Sequence, residues 1–243
     1  MTQPVTPRLS ATILLLRDSP KGIEVFMVVR HHKIDFASGA IVFPGGSLDQ
    51  SDRDPRLRAL SDGADMLDDS ELALQVAAVR EAFEECGVLY ARDPASGAII
   101  DGARAAALGD KYRAPLEADQ IGMADVAIAE NLRIALDQMT PFAHWITPEH
   151  MPKRFDTHFF VAPAPGDHAL LHDGSEAVDS VWITPADALA QAEAGKLTVI
   201  FATKLNLERV GRSQTVAEAI ERAGADTIVT VMPKGRKTET GRI

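Results

Sequence analysis

The first thirty residues alternate between apolar runs and turn residues in the manner of paired β-strands. Apolar and β-branched residues fill 9–17 and 23–30, and the intervening Asp-Ser-Pro-Lys-Gly favours a turn. This pattern predicts a β-hairpin. Further strand-like runs, each bounded by Pro, Gly or Asp, lie at 40–43, 142–146, 157–162, 178–183 and 227–232.

Apolar residues three and four positions apart predict a helix over about residues 70–86. Asp69 or Ser70 offers a side-chain oxygen that can cap its first free amides, and Gly87 marks its expected end. The apolar positions that repeat at helical spacing are Leu72, Val76, Val79 and Phe83.

The rest of the chain adds helices to these strands. Residues 47–69 are polar and lack sustained periodicity, which predicts a loop, whereas the Ala-rich segment 98–136 predicts two or three helices. More helical patterns fill about 186–224. Because no change in composition separates two folding units, we expect one α/β domain over 1–243.

Composition and charge narrow the class of protein. The apolar run at 11–16 is too short to span a bilayer, and it has no basic leader or signal cleavage site, so we expect no membrane association. A single cysteine, Cys86, excludes an internal disulfide framework and favours a reducing compartment, the cytoplasm. The net charge of -10 argues against broad nucleic-acid binding. An acidic protein still binds phosphates when clustered carboxylates hold Mg²⁺ or Mn²⁺ between themselves and the substrate.

Three glutamates on the predicted helix are the strongest candidate site. Glu81, Glu84 and Glu85 lie three and four positions apart, so they share one helix face. Like charges at this spacing destabilise an isolated helix by about 0.2–0.5 kcal/mol per pair, and a bound cation would remove that repulsion. Arg80 can brace the cluster by reaching Glu84 one turn along. The spacing alone more often marks a solvated helix face, so it does not decide the function.

The surrounding sequence resembles the Nudix box, G-x5-E-x7-R-E-U-x-E-E-x-G-U, in which U is aliphatic. Residues 80–88 fit the second half of this fingerprint when Ala82 is accepted as the first U, and Gly45-Gly46 lie upstream. The resemblance implies an α/β/α sandwich with a mixed β-sheet and additional helical insertions. It also implies an enzyme that hydrolyses nucleoside diphosphates linked to another moiety, with Arg80 among its catalytic residues.

The resemblance implies a role for each acidic residue of the site. Glu84 and Glu85 would be ligands of Mg²⁺ or Mn²⁺, and Glu81 a ligand or the general base. The backbone carbonyl at Gly45 would be a further ligand. Glu176 precedes a predicted strand, where some Nudix enzymes have an extra acidic ligand or base; plain solvent exposure is the alternative.

The first half of the box departs from the fingerprint. Its glutamate should stand eight residues before Arg80, where this sequence has Leu72, with Glu71 one position out of register. Gly46 and Leu72 are 26 positions apart where the fingerprint has 6, which indicates about twenty inserted residues. The departure concerns this first glutamate and leaves the helical triad in place.

Residues before the box resemble the coenzyme A-directed motif L-L-T-x-R-[S/A]-x3-R-x3-G-x3-F-P-G-G. Arg30, Gly39 and residues 43–46 match, whereas His31 replaces the small residue and Asp35 the second arginine. The match implies that the substrate is contacted by Arg30, Gly39, Phe43 and Gly46.

Three segments carry a wider resemblance: 43–49 with the long insertion that follows, 78–85, and Trp-Ile-Thr-Pro at 145–148 followed by Arg-Phe-Asp-Thr-x-Phe-Phe at 154–160. Together they resemble, over roughly residues 9–185, the peroxisomal coenzyme A diphosphatase group of Nudix proteins and its bacterial relatives. This resemblance implies cleavage of CoA or acyl-CoA to 3′,5′-ADP and (acyl-)phosphopantetheine. The alternatives are ADP-ribose, NADH or dinucleoside polyphosphates as substrate, or a catalytically silent nucleotide-binding module. Nudix proteins often form homodimers, although no residue here decides it. Arg154, which begins the last of these segments, is a candidate substrate contact; a cap or a surface pair is the alternative.

The remaining histidines and the tryptophans carry weaker signals. His144, His150 and His158 show no spacing that is typical of metal ligands, so we predict no metal site from them. Trp145 and Trp182 are predicted to anchor the core or the sheet rather than to stack on a base.

Overall fold

The protein is built on a mixed β-sheet with helices on both faces. The computed structural model describes residues 5–30, 40–168, 177–234, 237–238 and 241–242; the side chains of 30, 177, 178 and those beyond 234 lie outside that description. The helices are α1 (Leu57–Leu60), α2 (Asp69–Cys86), α3 (Gly102–Glu117), α4 (Met123–Ala129), α5 (Pro185–Glu193), α6 (Phe201–Val210) and α7 (Val216–Ala225). The strands are β1 (Arg8–Ser19), β2 (Gly22–Arg30), β3 (Ile41–Val42), β4 (Gly45–Ser47), β5 (Ser61–Asp62), β6 (Ala91–Arg92), β7 (Arg133–Ala135), β8 (Thr140–Ile146), β9 (Phe155–Pro163), β10 (Ala177–Ile183), β11 (Thr230–Val231), β12 (Lys237–Thr238) and β13 (Gly241–Arg242).

The main sheet has the strand order β10-β2-β1-β9-β8-β11, with β3 paired to β2 and β4 paired to β1. The pairs β1–β9 and β8–β11 are parallel, and the others are antiparallel. A small second sheet has the order β5-β7-β6, and β12 pairs with β13. The predicted hairpin of β1 and β2 is confirmed, with Ser19 opposite Gly22 at its turn.

Strand β1 is covered on both faces, which explains its continuous apolar sequence. Ala11, Ile13 and Leu15 lie in the core cluster that contains α2. Leu14 and Leu16 lie in the other cluster, which contains residues of α6 and α7. Helices therefore pack on both sides of the sheet, and the predicted α/β/α sandwich is confirmed.

Helix α2 begins one residue earlier than its predicted caps imply. Its N-cap is Asp68, whose carboxylate accepts hydrogen bonds from the amides of Ser70 and Glu71, each at 2.8 Å. The Glu71 carboxylate in turn accepts from the Asp68 amide at 3.0 Å, which completes a capping box. Gly87 ends the helix with a φ of 71°, as the sequence predicted.

The segment 47–69 is more ordered than the predicted loop. It contains α1, β5 and two short 3-10 helices, and Leu57 is fully buried. The guanidinium of Arg133 donates to Asp62 and to the carbonyl of Ala59, so strand β7 holds the segment in place. Contacts distant in sequence give this segment its structure, which is why its own periodicity did not reveal it.

The segment 98–136 contains α3 and α4, followed by β7 and a 3-10 turn. Arg113 of α3 donates to the carbonyl oxygen of Glu84, with Nε at 2.8 Å, so α3 packs beside the last turns of α2. In the part of the chain that the structure describes, no helix has the length and apolarity needed to cross a membrane.

Candidate active site

Helix α2 holds Glu81 and Glu84 in a buried cluster around Arg80. One guanidinium nitrogen of Arg80, Nη1, donates to Glu81 Oε1 at 3.0 Å and to Glu84 Oε2 at 2.9 Å. The Arg80, Glu81 and Glu84 side chains are only 4%, 11% and 9% exposed. The predicted brace from Arg80 to Glu84 is therefore present, and the cluster is not a solvated helix face.

The paired glycines bring the backbone of β4 against these carboxylates. The Gly45 amide donates to Glu85 Oε2 at 3.0 Å. A Cβ atom at Gly46 would lie 2.4 Å from Glu81 Oε1. Glycine at position 46 therefore lets β4 pass this close to α2 without pushing the Glu81 carboxylate aside.

Asp52 completes the cluster from the inserted segment. Its two carboxylate oxygens accept from Nε and Nη2 of Arg80, both at 3.0 Å, in a bidentate pair. Asp52 is 1% exposed, and its Oδ2 also accepts from the Asp49 amide at 2.8 Å. Nη2 of Arg80 donates further to the Ser47 carbonyl at 2.9 Å. Arg80 thus ties the segment after β4 to helix α2.

Burial dominates the electrostatics of the cluster. It raises the pKa of Glu81 to about 8 and that of Glu84 to about 7, although the Arg80 charge opposes both shifts. The pKa of Arg80 is raised despite burial, because Asp52 accepts its hydrogen bonds and the nearby carboxylates stabilise its charge. One permanent cation thus faces three buried carboxyl groups, and the raised pKa values show that Glu81 and Glu84 are costly to ionise without a further positive charge, which a second cation would supply.

Comparison with known proteins identifies the family. The family model described as NUDT19 Nudix domain matches residues 58–209, more than half of the chain. The chain belongs to this Nudix family. The family predicted from residues 80–88 is thereby confirmed.

Three similar proteins illustrate the relationship of this Nudix chain to others. A Caenorhabditis elegans protein with the provisional name nudix hydrolase 7 is 29% identical over 191 residues, 78% of this chain and 55% of that protein. The Xenopus laevis acyl-coenzyme A diphosphatase NUDT19 is 24% identical over 222 residues, 75% of this chain and 58% of that protein. The chain thus spans just over half the length of these curated relatives. A crystal structure of a NUDIX hydrolase from Alicyclobacillus acidocaldarius superposes with a TM-score of 0.72 at 29% identity, covering 89% of this chain and 96% of that one.

Asp52 stands where the Nudix box has its first glutamate. It follows Gly46 by six positions, as the fingerprint G-x5-E requires. The insertion therefore comes after this acidic residue, and the prediction that Leu72 occupies its position is wrong. Leu72 is instead part of the apolar core under α2. Counting forward from Gly46, rather than back from Arg80, would have revealed Asp52 in the sequence.

Two predicted substrate contacts lie away from this Nudix site. Phe43 is buried in the core cluster on the opposite face of the sheet, where its ring meets Phe159 edge to face at 6.5 Å. Arg154 is also buried, and it donates to the carbonyls of Thr147, at 3.0 Å, and Val5, at 2.7 Å. Both side chains are occupied in packing or in backbone hydrogen bonds, so we no longer assign them to substrate.

Three further predicted residues of the Nudix site fall at the edge of the described chain. Gly39 and Glu176 lie outside the described residues, as does the side chain of Arg30. The backbone of Arg30 ends β2, opposite Ala177 of β10. The structure thus brings together Gly45, Gly46, Arg80, Glu81, Glu84 and Glu85, and adds Asp52.

Proposed function

We propose that this chain is a divalent-metal-dependent Nudix hydrolase that cleaves the diphosphate linkage of CoA or acyl-CoA. The products would be 3′,5′-ADP and (acyl-)phosphopantetheine. The observation that carries the reaction class is the buried cluster in which Arg80 holds Glu81 and Glu84 beside the Gly45-Gly46 backbone. The substrate is supported by the coenzyme A-type motif before the box and by similarity to a protein named acyl-coenzyme A diphosphatase.

The cluster has the donor chemistry that a divalent cation needs. Nudix hydrolases generally use divalent metals. Glu84 Oε1 is buried and accepts no hydrogen bond from any described residue, so it is an oxygen suited to a cation. Mg²⁺ and Mn²⁺ prefer oxygen ligands of this kind. We infer that Glu81, Glu84, Glu85 and the Gly45 carbonyl hold Mg²⁺ or Mn²⁺. Glu176, which lies outside the described residues, is a candidate for a further ligand by resemblance to the family alone.

A bound cation of this kind polarises a phosphoryl oxygen and lowers the pKa of an attacking water. The protein's own residues orient the carboxylates and partly neutralise their charge. Arg80 uses its guanidinium donors on Asp52, Glu81, Glu84 and the Ser47 carbonyl, so it is a positioning residue rather than a substrate contact. Glu81 is either a ligand or the general base, since a buried carboxylate whose pKa lies near neutrality accepts a proton effectively.

The decisive experiment is product analysis of the purified chain with Mg²⁺ or Mn²⁺. The panel contains CoA, acyl-CoA, ADP-ribose, NADH and diadenosine polyphosphates. Metal-dependent release of 3′,5′-ADP from CoA or acyl-CoA is expected. If only another compound of the panel is cleaved, the proposed reaction class stands and the assignment of CoA or acyl-CoA as substrate is refuted. Tight binding of a nucleotide without turnover of any member would instead support the silent binding module.

Charge-removing substitutions test the ligand assignments. Glu84→Gln and Glu85→Gln should each lower kcat by about 100-fold or more with the fold intact, because each removes a cation-binding charge. Glu208→Gln is the matched control, since Glu208 lies on α6 beside Lys204. Unchanged turnover in both α2 variants would contradict the assignment. If Glu81→Gln loses turnover but keeps its metal affinity, Glu81 is the general base. If it loses both turnover and metal affinity, Glu81 is a metal ligand.

We further propose that residues 1–243 form a single Nudix domain that acts in the cytoplasm. The single-domain proposal is supported by contacts that join the inserted segment and the C-terminal helices to the rest of the fold. The inserted segment bonds to α2 through Arg80, and the C-terminal helices cover the second face of the same sheet. The cytoplasmic location is supported by the single cysteine of the sequence, the buried Cys86, since a chain with one cysteine forms no internal disulfide and so fits a reducing compartment.

A further inference from the structure

Strands β8 and β9 bring together two histidines and an aspartate outside the glutamate cluster. His144 and His158 stand opposite each other in the β8–β9 register, and their rings stack with centroids 4.0 Å apart. The Asp156 carboxylate hydrogen-bonds to His144 Nε2 and lies 3.8 Å from His158 Nε2. Linear spacing concealed this group, because its members meet across two strands.

We propose that His144, Asp156 and His158 bind a divalent transition-metal ion of the zinc class. One ligand atom from each residue lies within 4.8 Å of the others. Around a tetrahedral ion with metal bonds of about 2.1 Å, two ligand atoms lie about 3.4 Å apart, so side-chain shifts of about 0.7 Å for each residue would close the site. Two imidazole nitrogens and one carboxylate oxygen select Zn²⁺, Co²⁺ or Ni²⁺ over Mg²⁺.

The surroundings of His144 orient it as a metal ligand. Its Nδ1 lies 2.7 Å from the Thr230 hydroxyl of β11, so both ring nitrogens have defined partners. In the metal-free chain Nε2–H donates to the Asp156 carboxylate, so metal binding has to displace that proton. Nδ1–H then donates to the Thr230 hydroxyl and leaves the Nε2 lone pair for the metal, the arrangement that usually supports a ligating histidine.

This site is separate from the glutamate cluster. Ala11 of β1 pairs with Gly46 on one side and with His158 on the other, so His158 lies two strands from Gly46. At a strand spacing of about 4.8 Å, that distance is about 10 Å, whereas paired catalytic metals lie about 3.5–4 Å apart. The ion would instead join β8 and β9 and, through Thr230, hold β11 against them.

Calorimetric titration with Zn²⁺ and Co²⁺ absorption spectroscopy test the proposal. The untagged full chain is titrated at pH 7.5 with Mg²⁺ in large excess, so that the carboxylate cluster is occupied. One equivalent of Zn²⁺ should bind and raise Tm. His144→Gln and His158→Gln should each weaken Zn²⁺ by at least about 10-fold, whereas the exposed His150→Gln should bind like the wild type.

The outcome is independent of the hydrolase proposal. Glu84→Gln should retain full Zn²⁺ affinity if the ion binds at the histidines. The proposal is overturned if no Zn²⁺ binds in the presence of Mg²⁺, or if both histidine variants bind it like the wild type. Should either histidine variant fail to fold, Asp156→Asn gives the same comparison, with the matched control Asp226→Asn on the surface.

Discussion

Replacing Asp52 by asparagine is expected to uncouple the inserted segment from helix α2. The change keeps the shape of the side chain and removes its charge. Asp52 makes two bonds to Arg80 and one to the Asp49 amide, all within the buried interior. Breaking one partner of a buried ion pair costs about 3–5 kcal/mol. Arg80 keeps Glu81 and Glu84 as counter-charges, so we expect the lower end, about 3 kcal/mol.

The expected loss is measurable in two assays. For a chain of this size, about 3 kcal/mol corresponds to a Tm lower by about 6–12 °C in differential scanning calorimetry. Because Arg80 positions Glu81 and Glu84, metal affinity or kcat should also fall by about 10-fold to 100-fold, as for other residues that orient metal ligands.

A control on the same segment separates this effect from a general loss of charge. Asp54 pairs with Arg56 on the surface and does not touch Arg80, so Asp54→Asn should change Tm and kcat little. The reasoning is refuted if Asp52→Asn folds, melts at the wild-type temperature and retains wild-type metal affinity and turnover. A lower Tm with unchanged metal affinity and kcat would leave Asp52 as a structural residue only.

Three further predictions concern Gly46, the two buried glutamates and Leu72. Gly46→Ala should abolish most activity, because its Cβ would meet the Glu81 carboxylate, whereas Gly166→Ala, with open space around it, should be neutral in the same assay. Burial raises the folded-state pKa of Glu81 to about 8 and of Glu84 to about 7, above the ordinary 4.5, so the folded state binds more protons than the unfolded state and the metal-free chain should lose stability as pH rises from about 5 to 8. Mg²⁺ should therefore raise Tm more at pH 8 than at pH 6, and Glu81→Gln should make the Tm of the metal-free chain depend less on pH. Leu72→Glu should lower Tm without raising activity, because it buries a carboxylate in the core; a gain in kcat would contradict the assignment of Asp52.

The elements that the sequence predicted well are those whose periodicity reflects burial on a regular face. Strand β1 follows its apolar run, and α5, α6 and α7 occupy the predicted helical segment of about 186–224. The end of α2 at Gly87 follows from the left-handed conformation that glycine adopts without strain. In each case the local pattern and the tertiary environment favour the same structure.

The parts that the sequence predicted poorly depend on contacts between distant residues. The hydrophobic pattern around Asp52 does not distinguish it from the partly exposed Asp49 and Asp54, because its partner Arg80 is 28 positions away. Only the count of six positions from Gly46 marks it in the sequence. Phe43 and Arg154 matched or adjoined family motifs, but residue type does not reveal which face of a sheet a side chain occupies. His144 and His158 likewise meet only through strand register.

The place of the insertion limits how the length of this chain can vary among its relatives. Six positions separate Gly46 from Asp52, and both are fixed against α2, so no residue can be gained or lost there without breaking a contact to Glu81 or Arg80. The segment between Asp52 and Arg80 is different, because the hydrogen bonds between these two residues hold its ends together whatever its length. Doubling the length of a flexible loop raises the free-energy cost of closing it by only about 0.6 kcal/mol. Length differences among relatives should therefore concentrate after Asp52, and a search that demands a fixed distance across the box would overlook such chains.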